Sequence, residues 1–470
     1  MGTTTGTELW GMGASELAAA IRDRRASSRE AVQAHLDRIA AVNPAVNAVT
    51  SVLADRALQE AGEADRRLAA GEDVGPLHGV PFTVKENVDL AGSATTQGVA
   101  AMAGAMPAED APQVAHLRAG GAIAFARTNL PDFALRWHTD NAIHGATRNP
   151  WDASVTAGGS SGGEGAALAT GMTPLGVGND LGGSLRWPAQ CNGICSLKPT
   201  LGRIPQASSI EPIDPPISIQ LMAVQGPMAR RVADLRVALG LMSRPSARDP
   251  WYVPAPVAGE PAAGPVRVAV VTDPAGQGVS PQVAGGVRRA ADALAAAGYA
   301  IEEVEPPDVA RAAEVWQHIL GTDLRIMWQL MAPLVSDDAN LFMRTFLDGN
   351  PEIDGPTYMQ AFVARQALCR AWAEFQATHP LMVAPIATEP PFAVGDDLRP
   401  ERIGDIAASM RLVVAINLLG LPAAAVPAGV ADGLPQVVQV IGPRFREDLC
   451  LDAAEAIETS CGVITPIDPR

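Results

Sequence analysis

Residues 158–188 read GGSSGGEGAALATGMTPLGVGNDLGGSLRWP, and in this run two serines, Ser160 and Ser184, each follow a pair of glycines. Glycine, alanine and serine crowd the stretch more densely than an ordinary core requires. Small residues of this kind permit close backbone approach and left-handed turns. A glycine pair just before a serine also leaves backbone N–H groups open to a substrate carbonyl, which is what stabilising an oxyanion requires. Either motif alone reads as a flexible turn. Two of them, 24 residues apart and downstream of a strand-end lysine, define a narrower chemistry.

That lysine is Lys85. Val80, Phe82 and Val84 alternate as a strand does, and the strand delivers Lys85 at its end. The chain holds 35 basic residues, of which only Lys85 and Lys198 are lysine. Arginine serves wherever a positive charge or a solvated surface is wanted, and arginine cannot lose its proton in a protein. A lysine kept in so arginine-biased a chain points to a task that needs a neutral amine. Lowering a lysine from ~10.4 to ~7.5 costs about 4 kcal/mol, which burial beside a polar partner can impose.

Further out, Ser27-x-x-Glu30 is a capping box opening a helix to about residue 42, stopped at Asn43-Pro44. A second helix is expected near 54–70, another over 111–119 ending at Gly120-Gly121, and a strand over 123–126. Beyond a Pro/Ala-rich, linker-like segment at 244–265, a strand at 266–271 and an amphipathic helix at 281–297 resume the pattern. Alternating strands and helices predict an α/β fold whose large, mixed, mainly parallel sheet is covered on both faces by helices. The 470 residues are read as one domain: a helical portion to about 70, a core over 71–243, the linker-like segment, and an α/β portion over 266–470.

Composition narrows the function classes. Hydrophobic residues make up 47% and charged residues 18%, enough to bury a sizeable core. The net charge of −16 weighs against nucleic acid and anionic membranes as partners. The five cysteines are too few and scattered for a disulfide framework. Cys191 and Cys195 have no histidine nearby and read as buried thiols, so no metal is expected, and no cofactor. The N-terminal residues lack the basic start and apolar run of a signal peptide. The uncharged run 412–431 is long enough to span a bilayer, but Asn417, Gly420, Pro422, Pro427 and Gly429 break it into helix, turn and strand. A cytoplasmic protein is expected.

Taken together, these motifs resemble those of the amidase signature family. The matching stretches are 78–87 (HGVPFTVKEN), 147–152 (TRNPWD), the two serine motifs, 197–203 (LKPTLGR), 226–230 (GPMAR), 420–422 (GLP) and 440–443 (VIGP). The resemblance covers nearly the whole chain and implies an amidase with a Ser–Ser–Lys triad. Ser184 would be the nucleophile, and Ser160, held by a cis peptide after Gly159, would pass the proton to neutral Lys85. The backbone N–H groups of Leu181, Gly182, Gly183 and Ser184 would form the oxyanion hole. Ser161, Asp180 and Arg186 would brace the loops, while Lys198 and the seven histidines take no chemical role. Small-molecule amides, esters and carbamates are the implied substrates, with bulky or aryl groups favoured if Trp137 and Trp187 line the pocket.

This sequence departs from the family pattern in places. Ser196 stands where glycine is usual, a change expected to alter a turn. Glu86 replaces the commoner aspartate, and Trp187 a commoner Ile or Phe. Two competing readings remain at this level. Gly158-Gly159-Ser160-Ser161-Gly162 also fits the nucleophile elbow of α/β-hydrolases, with His318 or His379 as the base. One component of a tRNA-dependent amidotransferase, releasing ammonia for a partner, would carry the same triad.

Overall fold

The computed structural model describes residues 9–261, 264–350 and 352–470. The first eight residues of the N-terminal segment, and 262 and 263 of the linker-like segment, therefore lie outside the described residues. Eleven strands form one sheet: β1 (Val49–Val52), β2 (Pro81–Lys85), β3 (Ile123–Thr128), β4 (Leu175–Asp180), β5 (Cys195–Lys198), β6 (Val224–Ala229), β7 (Arg267–Val270), β8 (Ala300–Glu303), β9 (Leu381–Pro385), β10 (Ala423–Ala431) and β11 (Leu434–Ile441). Their order is β1-β3-β2-β4-β6-β5-β10-β11-β9-β7-β8.

Helices cover both faces of this α/β sheet, but parallel pairing does not predominate in it. Six neighbouring pairs are antiparallel and four parallel. The expectation of a mainly parallel sheet is corrected here, because the six central strands, β4, β6, β5, β10, β11 and β9, pair antiparallel throughout, mostly between segments far apart in the chain. Asp432 and Gly433 both take positive φ (50° and 79°), the two-residue turn that joins β10 to β11 as a hairpin.

Period-2 alternation divides each central strand between two cores. Val80, Phe82 and Val84, with Leu175 and Val177 of β4, face a core shared with helices Pro112–Ala119, Val232–Met242 and Glu447–Cys461. Burying a side chain such as Phe82 contributes about 1.5–3 kcal/mol. Thr83 and Lys85 point to the opposite face. There the glycines of β4 and helix Gly162–Ala169 leave room for polar groups: a Cβ on Gly176 would lie 2.5 Å from Glu164 Oε2.

The capping box at Ser27 and Glu30 forms, with Glu30 N–H donating to Ser27 Oγ at 3.1 Å. The helix does not stop at Asn43-Pro44, however. It runs over Ser28–Val46 with Pro44 in its last turn, and Asn47 in the left-handed region ends it. Asn43 Oδ1 accepts the N–H groups of Ala48 and Val49 at 2.8 Å, so the chain is turned after the helix by a side chain inside it. The uncharged run at 412–431 splits into helix Arg411–Leu419, a left-handed Gly420 and β10. Among the described residues no helix is long and apolar enough to cross a membrane. The segment after 244 is a surface excursion pinned by backbone contacts, including Val253 N–H to Gly202 O at 2.8 Å.

Candidate active site

Strands β2 and β4 run parallel, so Lys85 and Asp180, which close them, lie at the same edge of the sheet. Ligands of α/β proteins bind at such carboxyl ends. Lys85 is fully buried, with Nζ 2.7 Å from Ser160 Oγ and 2.8 Å from Asn179 Oδ1. Asn179 in turn donates from Nδ2 to Asn87 Oδ1 at 2.9 Å, which turns its carbonyl oxygen toward the lysine. Burial lowers the amine to about 7, and the carboxylates of Asp180 and Glu164 oppose that fall.

Ser160 follows a cis Gly159–Ser160 peptide. Gly159 is demanded by space: a Cβ there would sit 2.4 Å from Arg136 O. Glu164, one turn into helix Gly162–Ala169, accepts a hydrogen bond from Thr83 Oγ1 at 2.6 Å and is fully buried. Burial pushes its carboxyl up to about 7, against the hydrogen bonds of Thr83 and Thr128.

Ser184 is buried to all but 8% and lines a pocket together with Leu181 and Gly182. Among the described residues its hydroxyl makes no hydrogen bond, so Lys85 and Ser160 are in contact while Ser184 is bonded to neither. Before it, Gly183 N–H donates to Asp180 Oδ1 at 2.8 Å and Leu185 N–H to Asp180 Oδ2 at 3.1 Å. Of the four N–H groups expected to form the oxyanion hole, one is therefore engaged in this structure. Gly183 N–H is already taken by a buried carboxylate, whereas the N–H groups of Leu181, Gly182 and Ser184 have no protein acceptor among the described residues.

Asp180 and Arg186 do brace the loop, through hydrogen bonds at 3.1 Å on both carboxylate oxygens. Burial alone would raise the Asp180 carboxyl, but the Arg186 guanidinium beside it holds it well below the usual range. Arg186 also donates to Gln439 Oε1 at 3.0 Å and Asn417 Oδ1 at 2.7 Å, tying the serine loop to the C-terminal half. Ser161 does not brace by its side chain. Its hydroxyl is buried without a hydrogen-bond partner and packs over Gly178, where a Cβ would meet it at 2.9 Å. Lys198, also fully buried, donates to Leu421 O at 2.6 Å and Pro199 O at 3.0 Å and does not reach the serines. Ser196 lies within β5, not in a turn, paired with Met228 and Ala425.

The pocket's walls are mostly apolar: Trp137, Trp316, Leu320, Phe342 and Phe346 are prominent. Phe342 stacks on Phe346 and both meet Trp137 edge-on, with ring centroids 6.2–6.5 Å apart. Trp187 is not among the lining residues. It is buried behind the wall, stacked on Phe392 at 5.9 Å, and its indole N–H donates to Trp137 O at 3.0 Å. Trp316, Asn179, Glu164, Asn417 and Gln439 escaped the sequence reading. Asn179 and Glu164 lie between the two serine motifs, one residue outside each, but Trp316 stands far downstream, where no motif marks it. Neither histidine of the α/β-hydrolase reading bonds Ser160. His379 pairs with Glu302 at 2.9 Å on the outermost strand, and His318 faces Glu314 at 4.0 Å.

The family model described as Amidase matches residues 30–451. The chain belongs to the amidase family. It is similar to the indoleacetamide hydrolase of Bradyrhizobium diazoefficiens, at 44% identity over 97% of this chain and 88% of that one. It is also similar, at 32% identity over 98% of this chain and 99% of the other, to a glutamyl-tRNA(Gln) amidotransferase subunit of Salinispora arenicola. Among solved structures, a bacterial aryl acylamidase of the amidase signature enzymes superimposes with a TM-score of 0.82, at 25% identity and 96% coverage of both chains. The protein is therefore an amidase, a hydrolase acting on amide C–N bonds.

Proposed function

We propose that this amidase hydrolyses small amides with an aromatic acyl part, of the indoleacetamide class, through an acyl-enzyme on Ser184. The observation that carries the reading is the buried Lys85 amine, near neutrality in its proton affinity and 2.7 Å from Ser160 Oγ. An amine that donates one N–H to Asn179 keeps its lone pair for the Ser160 proton. Ser160 can then take the proton of Ser184 as Ser184 Oγ attacks the carbonyl. The unengaged N–H groups of the 181–184 loop receive the oxyanion. The relay then runs backwards: Lys85 returns its proton through Ser160 to the departing nitrogen, and water releases the acid.

The apolar walls favour an aromatic acyl group. They disfavour glutamine, the donor that an ammonia-releasing amidotransferase component would cleave. Arg136 is the one charged side chain among the described lining residues, and Asp397 already pairs with it at 2.9 Å, leaving the charged ends of an amino acid without partners. Esters and carbamates with the same acyl geometry present the same carbonyl and are expected as slower or alternative substrates. The test is a turnover panel of indoleacetamide, phenylacetamide, glutamine, and an aryl ester and carbamate, run on wild type, Ser184→Ala, Lys85→Ala and Lys85→Arg. Arylacetamides should turn over and glutamine should not. Each substitution should remove nearly all activity, Lys85→Arg as fully as Lys85→Ala, since guanidinium stays charged. Preference for glutamine, or full activity in Ser184→Ala, would sink the reading.

A further inference from the structure

Two indole N–H groups end on the loop before Ser184. Trp316 Nε1 donates to Leu181 O at 3.0 Å, and Trp137 Nε1 donates to Gly182 O at 2.9 Å. Trp316 arrives from helix Val309–Met331, and its ring lies so close over Gly182 that a Cβ there would meet it at 2.8 Å. We propose that Trp316 is a positioning residue for catalysis, its indole N–H clamping the Leu181–Gly182 peptide so that the Gly182 N–H is held in one direction for the oxyanion.

The physical need for a clamp follows from the glycines. A peptide group next to glycine rotates with little steric resistance, and Gly183 already has φ at +100°. In a trans peptide the N–H points opposite to the C=O, so holding the oxygen sets the direction of the hydrogen. The Gly182–Gly183 peptide is held at both ends, its C=O by Trp137 and its N–H by Asp180. The Leu181–Gly182 peptide is held at its oxygen alone, by Trp316, and its N–H has no protein acceptor among the described residues. Pre-aimed donors stabilise developing charge without reorganising at the moment of reaction, and losing one costs ~10²–10³-fold in kcat. A donor still present but no longer aimed should lose part of that.

The inference rests on the reading of Ser184 as nucleophile, and the experiment separates the two. Trp316→Phe keeps an apolar ring without the N–H. 3-Benzothienylalanine incorporated at 316 keeps the bicyclic shape and replaces the N–H with sulfur. Both should lower kcat on an arylacetamide by about 10–100-fold. KM should change less than about threefold, and affinity for a trifluoromethyl ketone that forms a tetrahedral adduct should fall in parallel with kcat. Were Trp316 only a pocket wall, the benzothienylalanine enzyme would keep its kcat, and that result overturns the clamp even if Trp316→Phe folds poorly. Should the variants keep full kcat while Ser184→Ala is inactive, the clamp alone fails. Turnover surviving in Ser184→Ala would instead remove the nucleophile assignment and the inference with it.

Discussion

Lys85 concentrates the chemistry at the scale of single residues. It is buried, so its charged form is disfavoured; Asp180 and Glu164 restore part of the lost proton affinity; Ser160 and Asn179 are its hydrogen-bond partners. In the proposed relay this lysine is the base, and a base works only when neutral. As pH falls through about 7 the protonated fraction grows and log kcat/KM should fall with unit slope. Glu164→Gln removes the partial negative charge that this carboxyl, itself raised to about 7, contributes in favour of the ammonium. It should therefore move this acid limb to lower pH, and a pH–rate profile of both proteins reads the shift. An unmoved limb would mean that Glu164 is not ionised when Lys85 titrates. Lys198, lowered to about 7 by burial, has no such consequence, because among the described residues its nitrogen hydrogen-bonds only to backbone carbonyls.

At the scale of elements, the site is assembled where polypeptide segments approach more closely than side chains would allow. The segment 136–138 runs against Gly159, and a Cβ there would lie 2.4 Å from Arg136 O and 2.8 Å from Trp137 C. Both neighbours are backbone and cannot swing aside. Gly159→Ala should accordingly cost about 1–3 kcal/mol in chemical denaturation, as overpacking does. It should also lower kcat/KM out of proportion to that loss, because the shift falls on the peptide that precedes Ser160. Equal, small changes in both quantities would show that the contact relaxes without displacing the serine. The glycines of β4 work in the same way, opening the sheet face that receives Glu164 and Ser161 beside Lys85.

Across the whole molecule, the two halves of the chain are joined by buried polar ties as well as by the sheet. Arg203 and Glu447 are fully buried and paired at 2.9 Å, and Glu447 Oε1 also accepts Thr200 N–H at 2.8 Å, fixing the loop after β5 to helix Glu447–Cys461. Removing one partner of a buried pair leaves the other charge uncompensated. Arg203→Ala should thus lower stability by about 3–5 kcal/mol, measured by denaturant unfolding, with the pH–rate profile of the surviving folded enzyme unchanged. Much of this protein was legible in one dimension. The paired glycine–serine motifs, the strand that ends at Lys85 and the scarcity of lysine fall within short stretches whose local geometry follows from residue type, and so do the capping box and the break at Gly420. What the chain order could not reveal were relations set by packing between distant segments. Strand direction in the middle of the sheet was set by pairing between distant segments, as of β10 with β5 and β4 with β6. The Gly183 N–H was lost to Asp180 only once the loop closed on itself. Trp316 reached Leu181 across 135 positions, and Trp187, though three positions after Ser184 in sequence, ended behind the pocket wall. Local sequence determines backbone freedom and chemical type, but which donor meets which acceptor is decided by the distances that folding imposes.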